Sequence, residues 1–276
     1  MIGTIAGDII GARFEFKINK EKSKDFELFV DLPSCTWTDD TLMTLATAQA
    51  LMEIYDLPFF KRKKSASAIF AKYYREFGKK HPDAGYGWHF YNWINDDTLG
   101  PYGSYGNGAA MRVSPCGLVA NSIKEAEWLG ECSASVTHNH PEGIKAAKCI
   151  AGAVFLAGKG KSKKEIREYV EKYYTIPDDI DRVRETYFFK VSCQESVPES
   201  LMCFFQSTSY EDCMRNCVSL GGDTDTMCAI VGTLAELYYG GVPQNIASEA
   251  IKRLDFFQIN IIKAFQKQFK LQKEVI

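Results

Sequence analysis

No stretch of this sequence approaches the roughly 18 consecutive apolar residues that a membrane-crossing helix needs, so no membrane span is expected. The opening segment, MIGTIAGDIIGARFEF, lacks a basic n-region and carries Asp8 inside its apolar run, so it does not read as a signal peptide. Paired cysteines are missing as well. The nine cysteines are odd in number and scattered, with no C-x-x-C, which argues against a disulfide framework or a zinc knuckle and for a reducing, cytoplasmic setting. An excess of charge of one sign is also lacking: 33 basic residues stand against 35 acidic ones, a formal net charge of -2. No global field then favours nucleic acid or an anionic membrane. The local basic runs KRKK at 61–64 and KGKSKK at 159–164 read as solvated loops. Strand-like alternation is scarce, with 187–192 the best short candidate, and there is no internal repeat or low-complexity segment.

What remains is helical patterning in a chain whose 46% apolar and 25% charged residues match an ordinary globular protein. Met227, Ile230, Val231, Leu234, Leu237 and Tyr238 follow the i, i+3, i+4 rule, and Gly240, Gly241 and Pro243 end the run. Segments 42–55 and 144–156 are apolar on nearly every side and read as interior helices. More polar helices are expected over 65–77, 123–135, 163–174, 199–206, 210–218, 243–254 and 256–271, with Cys213 and Cys217 on one face of theirs. The expected fold is all-α: one domain over 1–276, an orthogonal multi-helix bundle in which polar helices surround apolar ones.

Two acidic motifs stand where apolar helices begin: TWTDDT at 36–41 and LGGDTDT at 220–226. Each can cap its helix, with Thr38 as N-cap and Asp39 and Asp40 in the first turn, and with Asp223, Asp225 and Thr226 doing the same for the second. Capping leaves the carboxylates themselves unexplained. The helices behind them lack a polar face, so both starts are expected inside the molecule or on a cleft floor, where unpaired charge is costly. Neither motif has an arginine or lysine within several residues, which leaves bound cations as the counter-charge. Carboxylate and hydroxyl oxygens suit Mg²⁺ or Mn²⁺, and four aspartates could bridge two ions. An EF-hand beginning at Asp223 fails, because its fifth and twelfth positions are Met227 and Leu234. A phosphotransferase of the haloacid dehalogenase type fits poorly, since it sets D-x-D-x-T after a hydrophobic strand. Glycines also gather at GDIIG (7–11), GPYGSYGNG (100–108) and Gly221 with Gly222, near helix starts whose free N–H groups suit a phosphate or diphosphate.

In this order, GDIIG followed by Glu15, TWTDDT, GSYGNGAAMRVSP, VTH and LGGDTDT resemble the ADP-ribosylglycohydrolase family, of the dinitrogenase-reductase-activating glycohydrolase type. The resemblance implies an all-α fold with a cleft holding two magnesium or manganese ions. By motif, Thr38, Asp39 and Asp40 match the ligands of one ion and Asp223, Asp225 and Thr226 those of the other, with Asp225 shared. Glu15 matches a glutamate at the metal cleft, and Tyr102, Gly103, Ser104, Tyr105, Gly106, Asn107 and Gly108 match the loop that receives ADP-ribose. His138 matches a ligand-contacting histidine.

The residues also allow plainer roles. Tyr102 and Tyr105 could be core aromatics, Asn107 a left-handed turn residue, and His138 and His140 caps of the following helix. Arg112 is expected in a core salt bridge. The activity implied is hydrolysis of the bond between ADP-ribose and a protein side chain, arginine or serine, or a small acceptor. Glu15 is the first candidate for acid/base work, with Asp39 and Asp40 next. The alternatives are a non-catalytic ADP-ribose-binding relative and a metal-dependent phosphohydrolase. The partner is an ADP-ribosylated protein or an ADP-ribose-containing small molecule, with nucleic acid only as an ADP-ribosylated substrate. A monomer is expected, with 159–209 lining the outer cleft.

Overall fold

A computed structural model describes residues 1–15, 22–31, 33 and 35–271. Its elements, all helices, are α1 (Ile2–Ala12), α2 (Asp39–Asp56), α3 (Phe59–Lys80), α4 (Trp88–Asn95), α5 (Gly108–Met111), α6 (Ser114–Val119), α7 (Ile123–Ser135), α8 (Pro141–Gly158), α9 (Lys163–Val170), α10 (Ile180–Thr186), α11 (Cys193–Phe205), α12 (Tyr210–Leu220), α13 (Thr224–Tyr238), α14 (Gln244–Ile251) and α15 (Phe256–Phe269). The fold is all-α. Among the described residues there is no strand, and no helix is long and apolar enough to cross a membrane.

The three apolar segments become α2, α8 and α13, each buried along most of its length. The more polar helices lie around them, as α3, α7, α9, α11, α12, α14 and α15. Cys213 and Cys217 share α12, and both are buried. Several details differ from the sequence expectation. KRKK is not a loop but part of the first two turns of α3, where Lys61, Lys63 and Lys64 are exposed and Arg62 turns back to the Tyr55 and Leu57 carbonyls. In KGKSKK, Lys163 opens α9 and its half-buried ammonium donates to the Phe205 and Ser207 carbonyls at 3.1 and 2.6 Å. Helix α11 starts before Pro198 rather than after it. The N–H that proline lacks would have met the carbonyl of Gln194, an exposed residue near the helix start, so one turn forms ahead of it.

The first helix was not foreseen, and it positions the site. GDIIG is no loop with free N–H groups but part of α1, buried along its length. Gly3, Gly7 and Gly11 recur every fourth residue and share one helix face. A Cβ on them would lie 2.3 Å from the Gly232 carbonyl oxygen, 2.7 Å from that of Cys228 and 2.5 Å from Asp225 Cα. Gly232 reciprocates, because a Cβ there would meet the Gly3 oxygen at 2.2 Å. The backbones of α1 and α13 therefore touch. The seam is completed by Thr4 Oγ1, 2.8 Å from Thr233 Oγ1, and by Thr224 Oγ1, which donates to the Gly11 carbonyl at 2.8 Å. This approach brings Asp8, the residue after Gly7, beside Asp225. Gly7→Leu should force the helices apart and cost ~1–3 kcal/mol or more through overpacking. A thermal melt checks this, and an unchanged Tm would contradict the close approach.

Candidate metal centre and cleft

Both acidic motifs do begin helices, but they are capped differently. Thr38 is the N-cap of α2, its Oγ1 accepting from the Asp40 N–H at 3.3 Å. The stronger cap comes from α1: Asp8 Oδ2 accepts from the Thr38 and Thr41 N–H groups at 2.9 and 3.0 Å, and Thr38 Oγ1 donates to Asp8 Oδ1 at 2.8 Å. Asp223 sits at the N-cap position of α13, yet its carboxylate bonds none of the helix N–H groups. Instead it accepts from Asn107 Nδ2 at 2.7 Å. Gly221 and Gly222 bring the chain to it with φ of 73° and 89°, left-handed angles that favour glycine.

The carboxylates fall into two groups. Oxygens of Asp8, Asp40 and Asp225 lie within 4.8 Å of one another, and so do oxygens of Glu15, Asp223 and Asp225. Asp225 belongs to both. Asp39 belongs to neither; its Oδ1 faces Gly85. Thr226 Oγ1 donates to Asp40 Oδ2 at 3.1 Å, so in this geometry Thr226, like Thr38, orients a carboxylate. Asp8 is the member the sequence reading missed. The signal available for it was the four-residue glycine spacing around it.

No basic side chain pairs with this cluster among the described residues. Burial and mutual repulsion then raise the carboxyl pKa values. Glu15 is pushed up to about 7 by burial and Asp223, and Asp39 to about 8 by burial, Asp8 and Asp223. Burial also raises Asp8 and Asp223, and raises Asp40 and Asp225 well above the carboxylate range with help from neighbouring acids. Folded-state values above unfolded ones mean that the fold binds extra protons. Stability without cations is then greatest below about pH 4 as far as these groups decide it, and is lost as pH rises towards 8. The Tm of chelator-treated protein should fall between pH 5 and 8, and saturating Mn²⁺ should flatten that fall. Scanning fluorimetry checks this; a Tm rising with pH in chelator would contradict it.

All of these acids except the fully buried Asp8 line a cleft of about 520 Å³, whose walls include Tyr86, Trp88, Phe90, Tyr102, Asn107, His138, Phe189 and Val191. Trp88 and Phe189 are exposed at its mouth. Phe189 and Val191 come from the segment expected to line the outer cleft. That segment is not a strand at 187–192: it forms one bridge, Ser192 to Gly106, which anchors the glycine loop through Asn107 N–H to the Val191 carbonyl at 2.8 Å. The Gly103 N–H is taken by Asn139 Oδ1 and the Gly106 N–H by Ser104 Oγ. The Ser104, Tyr105 and Gly108 amides have no partner among the described residues.

Tyr102 is half-buried between His89 and His138, at ring distances of 5.8 and 6.1 Å. Tyr105 is half-exposed with its ring edge-on to His140. Asn107 is right-handed, with φ of -65°, so a left-handed turn is not its role. His140 caps α8, accepting from the Glu142 N–H, whereas His138 lines the cleft. Arg112 is buried but has no carboxylate partner among the described residues; its guanidinium lies 4.4 Å from the Tyr74 ring instead of in a salt bridge. In a second depression, between 27–31, α12 and α14, the two arginines are engaged: Arg215 and Arg253 are tied to Glu211, Glu249 and backbone carbonyls.

The donor set suits hard divalent cations: every ligand atom is oxygen, and Asp40 Oδ1 is buried with no hydrogen-bond partner. The sequence profile of the ADP-ribosylglycohydrolase family matches residues 1–270. The chain belongs to the ADP-ribosylglycohydrolase family. Human ADP-ribosylhydrolase ARH3 is 28% identical, over 84% of this chain and 79% of its own. The ADP-ribosyl-[dinitrogen reductase] glycohydrolase of Rhodospirillum rubrum is 26% identical, over 92% and 88%. A solved ADP-ribosylglycohydrolase-related protein complex superimposes with a TM-score of 0.65 over 99% of this chain and 96% of that one, at 23% identity, a likeness of fold.

Proposed function

We propose that this member of the ADP-ribosylglycohydrolase family is a Mg²⁺- or Mn²⁺-dependent hydrolase. It cleaves the bond between C1″ of ADP-ribose and an arginine or serine side chain or small acceptor. The observation that carries this is the pair of carboxylate groups sharing Asp225 at the cleft, with no cationic side chain paired with them among the described residues. Asp8, Asp40 and Asp225 would hold one cation and Glu15, Asp223 and Asp225 the other, with Thr38 and Thr226 orienting ligands. When bound, the cations supply Lewis-acid polarisation to substrate and water oxygens set against them.

The chain's own side chains do the rest. The loop from Tyr102 to Gly108 offers the Ser104, Tyr105 and Gly108 amides to a diphosphate, and the Tyr102 ring borders the sugar. Departure of the acceptor leaves an oxocarbenium-like ribose, so a proton must reach the acceptor atom while water attacks C1″. Glu15, half-buried at the cleft with a carboxylate oxygen within 4.8 Å of one on Asp225, is the proposed carrier of that proton. Asp39 stands outside both ligand groups and is the second candidate. The chain acts as one catalytic domain, a monomer in the cytoplasm, in keeping with nine buried, unbridged cysteines. Mass spectrometry of arginine- and serine-ADP-ribosylated peptides, incubated with and without Mg²⁺, tests the reading: metal-dependent loss of ADP-ribose from one of them is expected. Binding of ADP-ribose without release from either peptide would favour the non-catalytic relative.

A further inference from the structure

Arg112, Thr137 and His138 form a chain of hydrogen bonds that ends at the cleft. Arg112 Nη2 donates to Thr137 Oγ1 at 2.9 Å and to the Ser133 carbonyl at 3.1 Å. Thr137 Oγ1 lies 2.8 Å from His138 Nδ1. All three side chains are buried, so each hydrogen has few places to go. A guanidinium only donates, which makes the threonine oxygen an acceptor from Arg112. The single Thr137 hydrogen then has one acceptor among the described residues, the Nδ1 lone pair. If Nδ1 carried the proton, the threonine hydroxyl would be left without an acceptor, a costly arrangement at a buried site. The opposite nitrogen, Nε2, faces the two glycines of the loop: Cβ atoms built on Gly108 and Gly106 would lie 3.2 and 3.6 Å from it. It has no protein partner among the described residues, and His138 lines the cleft.

We propose that Arg112 and Thr137 are positioning residues that fix His138 as the neutral Nε2–H tautomer, presenting one hydrogen-bond donor to an oxygen acceptor in the cleft. The polarity is the reverse of the usual one, in which a carboxylate or carbonyl takes the Nδ1 hydrogen and leaves Nε2 as a base. A histidine held this way binds; it does not abstract protons. Burial and then the Arg112 charge both lower its pKa, in line with a ring that stays neutral. This also gives the buried arginine a task other than an ion pair: its charge orients a threonine hydroxyl. The identity of the acceptor, a ribose or diphosphate oxygen of ADP-ribose, rests on the function proposed above.

The test is two-bond nitrogen–proton correlation of the full chain labelled with nitrogen-15 in its histidine rings, alongside calorimetric titration with ADP-ribose. His138→Gln identifies the resonance. The wild type should show the Nε2–H pattern, Thr137→Ser should keep it, and Thr137→Val should lose it while binding ADP-ribose about tenfold more weakly. An Nδ1–H pattern in the wild type, or an Nε2–H pattern surviving in Thr137→Val, would overturn the assignment. A lost pattern with wild-type affinity would overturn the cleft donor. If the wild type binds no ADP-ribose, the function fails while the spectrum still decides the tautomer.

Discussion

Asp225→Ala is expected to leave no measurable release of ADP-ribose, yet to remain folded and, in chelator, to melt at a higher temperature than the wild type. Both halves follow from the carboxylate shared by the two groups. The side chain accepts one backbone N–H, from Thr226 at 2.8 Å, so little native hydrogen bonding is lost with it. What is removed is a buried carboxyl group whose ionisation is opposed first by burial and then by Asp223, Asp40, Glu15 and Asp8. Without cations that removal relieves strain of electrostatic origin, which raises Tm. With cations it takes one ligand from each site, so the Tm gain that Mn²⁺ gives the wild type disappears. Steady-state assays on a modified peptide and melts with and without Mn²⁺ read out the two halves. Retained turnover, or a lower Tm in chelator, would contradict the shared role.

The second large effect is expected at Glu15. Glu15→Gln keeps the shape and one oxygen but cannot exchange a proton, so kcat should fall about 10²- to 10⁴-fold while the calorimetric affinity for ADP-ribose stays near that of the wild type. Its metal content must be measured alongside, because Glu15 also belongs to a ligand group. Asp39→Asn provides the comparison. Asp39 is outside both groups, faces Gly85 and holds its proton up to about pH 8 in the cation-free protein. A larger loss there than at Glu15 would transfer the acid/base role to Asp39.

Much of this arrangement could be seen in the sequence where it depended on local pattern. Segments apolar on every side can only be interior helices, so α2, α8 and α13 were evident, and with them the two acidic helix starts. Features set by distant packing were hidden. Asp8 looks like an isolated acid in an apolar run until α1 is laid on α13, and the three glycines that permit this resemble a turn motif as readily as a packing face. Segment 187–192 has strand composition, but the partner it meets is the glycine loop, and the pairing stops at one bridge. Arg112 suggested an ion pair because buried arginines usually have one; its actual neighbours are a hydroxyl, a carbonyl and aromatic rings. The short helices α5, α6 and α10, of four, six and seven residues, are too brief for periodicity to reveal.

Calorimetric titration of Mn²⁺ into chelator-stripped, desalted protein tests the central claim most directly. Two carboxylate groups joined by Asp225 predict two ions bound per wild-type chain and weakening of both in Asp225→Ala. Binding of fewer than two ions by the wild type, or an undisturbed pair of sites in the variant, would contradict the account.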